Sequence, residues 1–215
     1  IKRTPLTTPL DDFFFDQGYR FAIGSARPKP GETLADSQVI SLDARRAIAQ
    51  IDLPGMPHLG SGITWPWTTP DGKRTTVLAS PNLKDGVISV IDMQTWQTIT
   101  QIPTLGPGFF MRSHESTPYA WVDAMMSANK NKLLLIDKTT LKPVHTLEGP
   151  PGQTLAHIEF TRDGRYALAS LWEKQGALIV YDAQTLKEVK RLPMSKPVGK
   201  YNVFNKITRS EGTSH

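Results

Sequence analysis

The sequence predicts an all-β chain folded as about four blades of a β-propeller, and two observations carry that prediction. First, four segments echo one another: SQVISLDARRAIAQI, GVISVIDMQTWQTITQI, NKLLLIDKTTLKPVHTL and GALIVYDAQTLKEVKRL. Their aspartates Asp43, Asp92, Asp137 and Asp182 stand 49, 45 and 45 residues apart. A period in the forties, each copy holding alternating apolar residues and a turn, is the signature of a blade repeat. Second, stretches rich in Gly and Pro separate the copies. A blade cannot bury both of its faces alone, so residues 1–215 are read as one continuous array rather than as separate small domains.

The order of elements is clearest in the last complete copy. IEF is an innermost strand, TRDG a turn, RYALASLW a second strand, EKQG a turn, ALIVYD a third strand, AQT a turn and LKEVKRL an outermost strand. Gly164 and Gly176 sit where hairpins need residues that tolerate positive φ. Asp92, Asp137 and Asp182 are each followed three residues later by a threonine (Thr95, Thr140, Thr185), the arrangement of an Asp that opens a tight turn by accepting backbone N–H groups. The aromatic segments around Phe13 and Phe15, Trp65 and Trp67, Tyr119 and Trp121, and Tyr166 and Trp172 are read as sharing one strand phase and packing between blades. The tail KYNVFNKI reads as the first strand of a further blade, whose partner strands would come from elsewhere in a longer chain.

Composition narrows the function. With no cysteine, these residues hold no disulfide, thiolate zinc site or covalently attached c-type heme. No apolar run approaches the roughly 20 residues that span a bilayer, so no transmembrane segment is expected. The start has no signal-peptide plan and no initiator methionine, so the chain is read as a fragment or a mature product. The net charge of +5 is scattered rather than striped, which argues against nucleic acid and suits an acidic small ligand or an anionic protein partner equally well.

The loops that lead into the innermost strands carry the candidate chemistry. PGMPHLGSGITW, PTLGPGFFMRSHE, EGPPGQTLAHIEF and PMSKPVGKYNVFN place His58, His114, His157 and Tyr201 at what reads as the same stage of each unit. Innermost strands line a propeller's central channel, so these side chains are expected around one axial pocket. The other two histidines, His145 on an outermost strand and His215 at the end, fall outside this pattern. Neutral imidazole binds iron in macrocycles and moves protons near neutral pH. Tetrahedral zinc fits less well, because no close His-x-His or His-Glu-x-x-His spacing occurs. A planar macrocycle lying across the channel fits better, with Arg112 and Lys200 placed to meet its carboxylates. Asp123, Glu115 and Glu159 neighbour the candidate site, Glu115 and Glu159 close enough to histidines to orient them. No nucleophile elbow, phosphate-binding loop, dinucleotide fingerprint or EF-hand is present.

Three runs, GPGFFMRSHE, AHIEFTRDGRYALASLWE and PVGKYNVFNKITRSEGTSH, carry a family resemblance. They resemble the C-terminal part of the d1-type heme propellers, the family of cytochrome cd1 nitrite reductase and its maturation proteins. Within it, the nearest group is the periplasmic dehydrogenases of dihydro-heme d1, in which a c-type cytochrome domain joins an eight-bladed propeller. The resemblance implies a periplasmic protein of denitrification that binds heme d1 or its dihydro precursor and oxidises a propionate side chain to an acrylate. It implies His157 as the distal iron ligand and Tyr201 as the active-site tyrosine. His58 and His114 resemble the distal-pocket histidines of the nitrite reductase, and Arg112 would hold a ring carboxylate. The proximal histidine and the heme c with its Cys-x-x-Cys-His motif have no counterpart here, so the present residues alone are expected to be inactive. A nitrite reductase or cytochrome partner follows from the same resemblance. Two other readings stay open, a nitrite reductase propeller and a non-enzymatic heme carrier. Exposed strand edges of a partial ring also suggest a homodimer.

Overall fold

The computed structural model describes residues 3–6, 8–32 and 34–213. Among them, sixteen strands form four antiparallel sheets of four strands each, taken strictly in chain order. The first blade holds β1 (Asp12–Phe15), β2 (Phe21–Ser25), β3 (Leu34–Ser41) and β4 (Arg46–Pro54), and the second β5 (Ile63–Thr68), β6 (Arg74–Ser80), β7 (Val87–Asp92) and β8 (Thr98–Pro103). The third holds β9 (Met111–Arg112), β10 (Tyr119–Asp123), β11 (Lys132–Asp137) and β12 (Lys142–Glu148), and the fourth β13 (Leu155–Phe160), β14 (Tyr166–Leu171), β15 (Gly176–Asp182) and β16 (Glu188–Met194). No helix among the described residues is long and apolar enough to cross a membrane.

The period-2 pattern distributes apolar side chains to both faces of each sheet. In β11, Leu134 and Ile136 join a core with Trp65, Val77 and Val90 of the second blade, whereas Leu133 and Leu135 join one with Phe160, Ala169 and Ile179 of the fourth. In β6, Val77 and Ala79 face the third blade, while Leu78 packs with Phe14, Ile23 and Leu53 of the first. Three apolar cores therefore fill the three seams between four blades. The aromatics do not share one phase. Trp65 lies on an innermost strand and Trp121 on a second strand, and Phe13 is exposed.

The repeated turn works as its sequence implies. Asp137 Oδ1 accepts the N–H groups of Thr139 at 3.0 Å and Thr140 at 2.7 Å, and Asp182 accepts those of Gln184 and Thr185 at 3.0 and 2.8 Å. Each turn closes through a residue at positive φ, namely Trp96, Leu141 and Leu186, whose N–H returns to the aspartate carbonyl. The first blade departs from the echo. There Arg45 holds the positive φ and Ser41 Oγ accepts from Ala44 N, so Ser41 does the work of the later aspartates and Asp43 is exposed.

The tail corrects a sequence expectation. KYNVFNKI forms no strand; it runs into a short helix, α1 (Val203–Ile207). Asn202 caps α1 by accepting the N–H of Asn205, which answers one of the orphan donors of a first turn. Both asparagine side chains donate to the carbonyl of Phe160 at the end of β13. Beyond α1, Ser113 N donates to Gly212 O and Gly212 N to Thr64 O, while Arg209 lies over the ring of Tyr19. The tail is thus a strap along the inner edges of the blades rather than the opening of another.

Candidate functional site

The loop GPGFF before β9 brings two phenylalanines to the inner side. A Cβ added at Gly108 would stand 2.2 Å from the Asp123 carbonyl oxygen, so only glycine lets this loop press against the end of β10. Phe109 and Phe110 then form a partly exposed ledge, their ring centroids 4.6 Å apart. At one end Phe109 meets His58 at 4.2 Å; at the other Phe110 meets His157 at 4.2 Å, and His157 meets Tyr201 at 5.3 Å with the planes at 88°. Beside this row of rings lies a cleft of ≈ 590 Å³ lined by His58, Phe109, Phe110, Arg112, Tyr201 and Lys206, among others.

His157 owes its position to a bulge. Ala156 pairs with Ser170 and Glu159 with Leu168, so two residues of β13 oppose one of β14. His157 is the bulged residue, with φ +53°, a left-handed conformation that side chains other than glycine seldom adopt. Its N–H reaches Asp123 Oδ2 at 3.4 Å, and its carbonyl accepts from the Lys200 ammonium, which also donates to Ser170 Oγ at 2.8 Å. The imidazole is buried at 1% exposure, yet its Nε2 has no hydrogen-bond partner. Burial, with the cations Lys200 and Arg112 nearby, pushes its pKa down to about 3, so the ring is neutral, and its Nδ1 accepts the Lys200 N–H at 3.4 Å.

Gly199 completes the geometry. The place its missing Cβ would fill lies 3.6 Å from His157 Nε2, 3.6 Å from Tyr201 Cε2 and 3.8 Å from Tyr201 Oη. His157 Nε2 and the Tyr201 hydroxyl therefore face one gap. An orphaned nitrogen on a neutral, buried imidazole suits the axial ligand of a metal carried in by a macrocycle. Among the described residues, no three His, Asp or Glu side chains gather into a metal-binding cluster of their own.

The remaining candidates separate. His58 stands on the far side of the ledge, where its Nδ1 meets Asp12 Oδ2 at 2.9 Å, an oxygen that also accepts Gly60 N. Asp12 is partly buried, which raises its pKa, but these hydrogen bonds win and hold it below the usual carboxylate value. His114 does not reach the cleft. Tyr119 and Tyr166 pair with Asp137 and Asp182, and Arg112 and Glu159 pair with Trp121 and Leu168, so Arg112 and Glu159 are equivalent. His114 follows that level, beyond the end of β9, and His157 precedes it, within the bulge of β13, so the two lie on opposite sides of it. His114 instead packs against Gly164 and Phe160, with Nδ1 near Ser116 Oγ at 3.1 Å. Arg112 borders the cleft, but it is buried 3.8 Å from Glu159, and its Nη1 donates to the carbonyl of Met111. Its charge is answered inside the protein. Tyr201 is 57% exposed at the cleft mouth.

Three contributors were not legible as site residues: Asp12 as the partner of His58, the Phe109 and Phe110 ledge, and Lys206 on the cleft wall; Asp123, read as a neighbour of the site, lies beneath it. Lys200, expected to meet a ligand, instead holds the peptide of His157, and burial pulls its pKa down to about 7. Asp123 takes N–H groups from Phe109 and Phe110, and burial raises its pKa to about 6 against those hydrogen bonds. The run GPGFF, two aromatics after a glycine pair, was the one signal in the sequence that could have found the ledge.

Comparisons with known proteins agree with this architecture. The family model described as the cytochrome D1 heme domain matches residues 2–206. The chain is 54% identical over 214 residues to a dihydro-heme d1 dehydrogenase of Pseudomonas aeruginosa, covering 100% of this chain and 41% of that protein. It is similar to a solved structure of the dihydro-heme d1 dehydrogenase NirN in complex with DHE, with a TM-score of 0.86 and 53% identity over 96% of this chain and 42% of the other. A β-propeller domain of Swd1 from Myceliophteria thermophila, at 16% identity and a TM-score of 0.64 over 91% of this chain and 59% of the other, shares the fold. The chain spans about two fifths of the length of the dehydrogenase relatives.

Proposed function

Since the chain belongs to the cytochrome D1 heme domain family, we propose that it forms one side of a site that binds the dihydro form of heme d1 and dehydrogenates one propionate side chain to an acrylate. The observation that carries this reading is the gap at Gly199, which His157 Nε2 and Tyr201 Oη both face. The substrate's iron supplies a coordination position for a neutral nitrogen ligand. His157 offers that ligand, and burial keeps it unprotonated. Phe109 and Phe110 give the macrocycle an apolar surface to lie against. Tyr201, at the mouth, is placed to orient the reacting side chain or take a proton from it.

In this reaction one carbon–carbon single bond becomes double, and two protons and two electrons leave. The electrons leave one at a time and require a one-electron carrier that an external acceptor reoxidises between the two steps, for which we propose a c-type heme on a domain outside these residues. The four blades are read as the C-terminal portion of an eight-bladed ring, and the setting as periplasmic denitrification; the share of the dehydrogenase relatives that the chain spans supports the first. Reduction of nitrite by His58 and His114 together is disfavoured by the place of His114 between blades.

The test uses the full-length protein and purified dihydro-heme d1, following the absorption change of acrylate formation. His157→Ala is expected to lose the axial-ligand spectrum and about 100-fold or more in turnover, and Tyr201→Phe to bind but turn over about 100-fold more slowly. Wild-type rates in both variants would overturn the assignment. Ligand retained without any turnover in the wild type would identify a carrier.

A further inference from the structure

Asp123 ends β10 of the third blade, is buried at 1% exposure and has no cation within ion-pair distance among the described residues. A carboxylate taken out of water needs compensation. Its hydrogen bonds come from backbone donors, and the Lys200 charge acts on it from beyond ion-pair distance. Oδ1 accepts Phe109 N at 2.8 Å and Met125 N at 3.4 Å; Oδ2 accepts Phe110 N at 3.2 Å and His157 N at 3.4 Å.

Those donors belong to two different blades. Phe109 and Phe110 are the ledge, on the entry loop of the third blade, while His157 is the bulged residue of the fourth. A bulge leaves its residue out of the ladder, so the His157 N–H has no strand partner and would be a buried orphan without Asp123. Its carbonyl is held by Lys200. One carboxylate thus fixes the peptide that aims the imidazole and the two peptides that set the ring facing it at 4.2 Å.

We propose that Asp123 is a positioning residue for ligand binding and turnover, setting the orientation of the His157 imidazole relative to the Phe109 and Phe110 ledge across the blade seam. The inference rests on the reading of His157 as the ligand of the substrate iron. Asparagine is close in size but offers one acceptor oxygen, and its NH₂ would confront N–H groups, so Asp123→Asn releases one side of the arrangement.

The experiment is a double-mutant cycle in the full-length protein with dihydro-heme d1, scoring kcat, affinity and the ligand-field spectrum of the bound macrocycle. Asp123→Asn is expected to bind the substrate, shift the spectrum and lower kcat about tenfold, since small misplacement is costly at a reacting centre. In a His157→Ala background the same substitution should change kcat by less than about twofold, because both act through one imidazole. An unchanged spectrum and rate in Asp123→Asn, or a full tenfold loss on top of His157→Ala, overturns the role of Asp123. Wild-type turnover in His157→Ala overturns the functional reading instead. Should Asp123→Asn fail to fold, amide hydrogen exchange on the wild type decides. A protected His157 N–H, slowed together with those of Phe109 and Phe110, supports the tie, and exchange at an unprotected rate refutes it.

Discussion

The innermost strands of the second and fourth blades occupy equivalent places and do opposite things. β5 pairs with β6 in unbroken register from Ile63 to Thr68, and its two tryptophans send their indole N–H groups across the seam, Trp65 to the carbonyl of Lys138 at 3.1 Å and Trp67 to that of Thr139 at 2.8 Å. β13 breaks its register at His157, and buried groups from outside the strand, Asp123 and Lys200, hold the peptide of an imidazole whose Nε2 stays unpaired. One repeat therefore yields a cohesive strand and a chemical one. The stacked array permits this, because each blade is supported by its neighbours and local strain in one is offset by packing in the next.

The sharpest way to break the comparison is Trp65→Ala. It empties a fully buried ring from the seam between the second and third blades and leaves the Lys138 carbonyl without its donor, so a loss of about 3–5 kcal/mol is expected in urea unfolding. A midpoint within error of wild type would mean that β5 is not the cohesive strand described here.

The packing side of the fourth blade supplies the next effect. Tyr181 on β15 is buried in the seam with the third blade, and burial, reinforced by Glu188, raises its pKa from 10.0 to about 12. Between those values the native state keeps a proton that the unfolded chain has lost, so stability falls as pH rises from 10 to about 12, by on the order of 2 kcal/mol. Comparing stability against pH for wild type and Tyr181→Phe checks it, since the difference between the two curves should change only in that window.

Trp67→Phe removes the indole N–H to Thr139 together with part of the ring, for an expected cost of about 1–2 kcal/mol. A loss as large as that of Trp65→Ala would show that ring volume, not the cross-seam bond, dominates at Trp67.

How much of this was legible follows from what a sequence records. The short apolar runs in KLLLID and ALIVYD, and the Asp-to-Thr turns, are local, so the blades could be read directly. The first blade was misaligned on Asp43 because the turn needs a side-chain oxygen rather than an aspartate, and Ser41 supplies it. The shared stage of His114 and His157 failed because register depends on strand pairing. β9 is two residues long after a looped entry, while β13 gains a residue at its bulge, and neither shows in spacing from the Gly-Pro stretches. KYNVFNKI reads as a strand from its position after a Gly-Pro stretch, yet two asparagines bonded to the Phe160 carbonyl turn it into a capped helix. Lys200 reads as meeting a ligand because charged residues are usually at the surface, and only the fold shows that it and Asp123 clamp one peptide.

The smallest effect tests the strain itself. His157→Ala and His157→Gly both delete the imidazole with its contacts to Phe110 and Tyr201, so those losses cancel when the two variants are compared. What remains is the backbone at φ +53°, which glycine adopts without a Cβ clash and alanine does not. The glycine variant should be the more stable by about 1 kcal/mol. At Thr64 in β5, where the strand is regular, the order should reverse, with glycine less stable than alanine by about 0.5–1 kcal/mol because it loses more chain freedom on folding. Equal stabilities of the two His157 variants would mean that the bulge relaxes once the imidazole is gone. The strain would then be imposed by the side chain, rather than by the Lys200 and Asp123 clamp on its peptide or by the way the fourth blade meets the third.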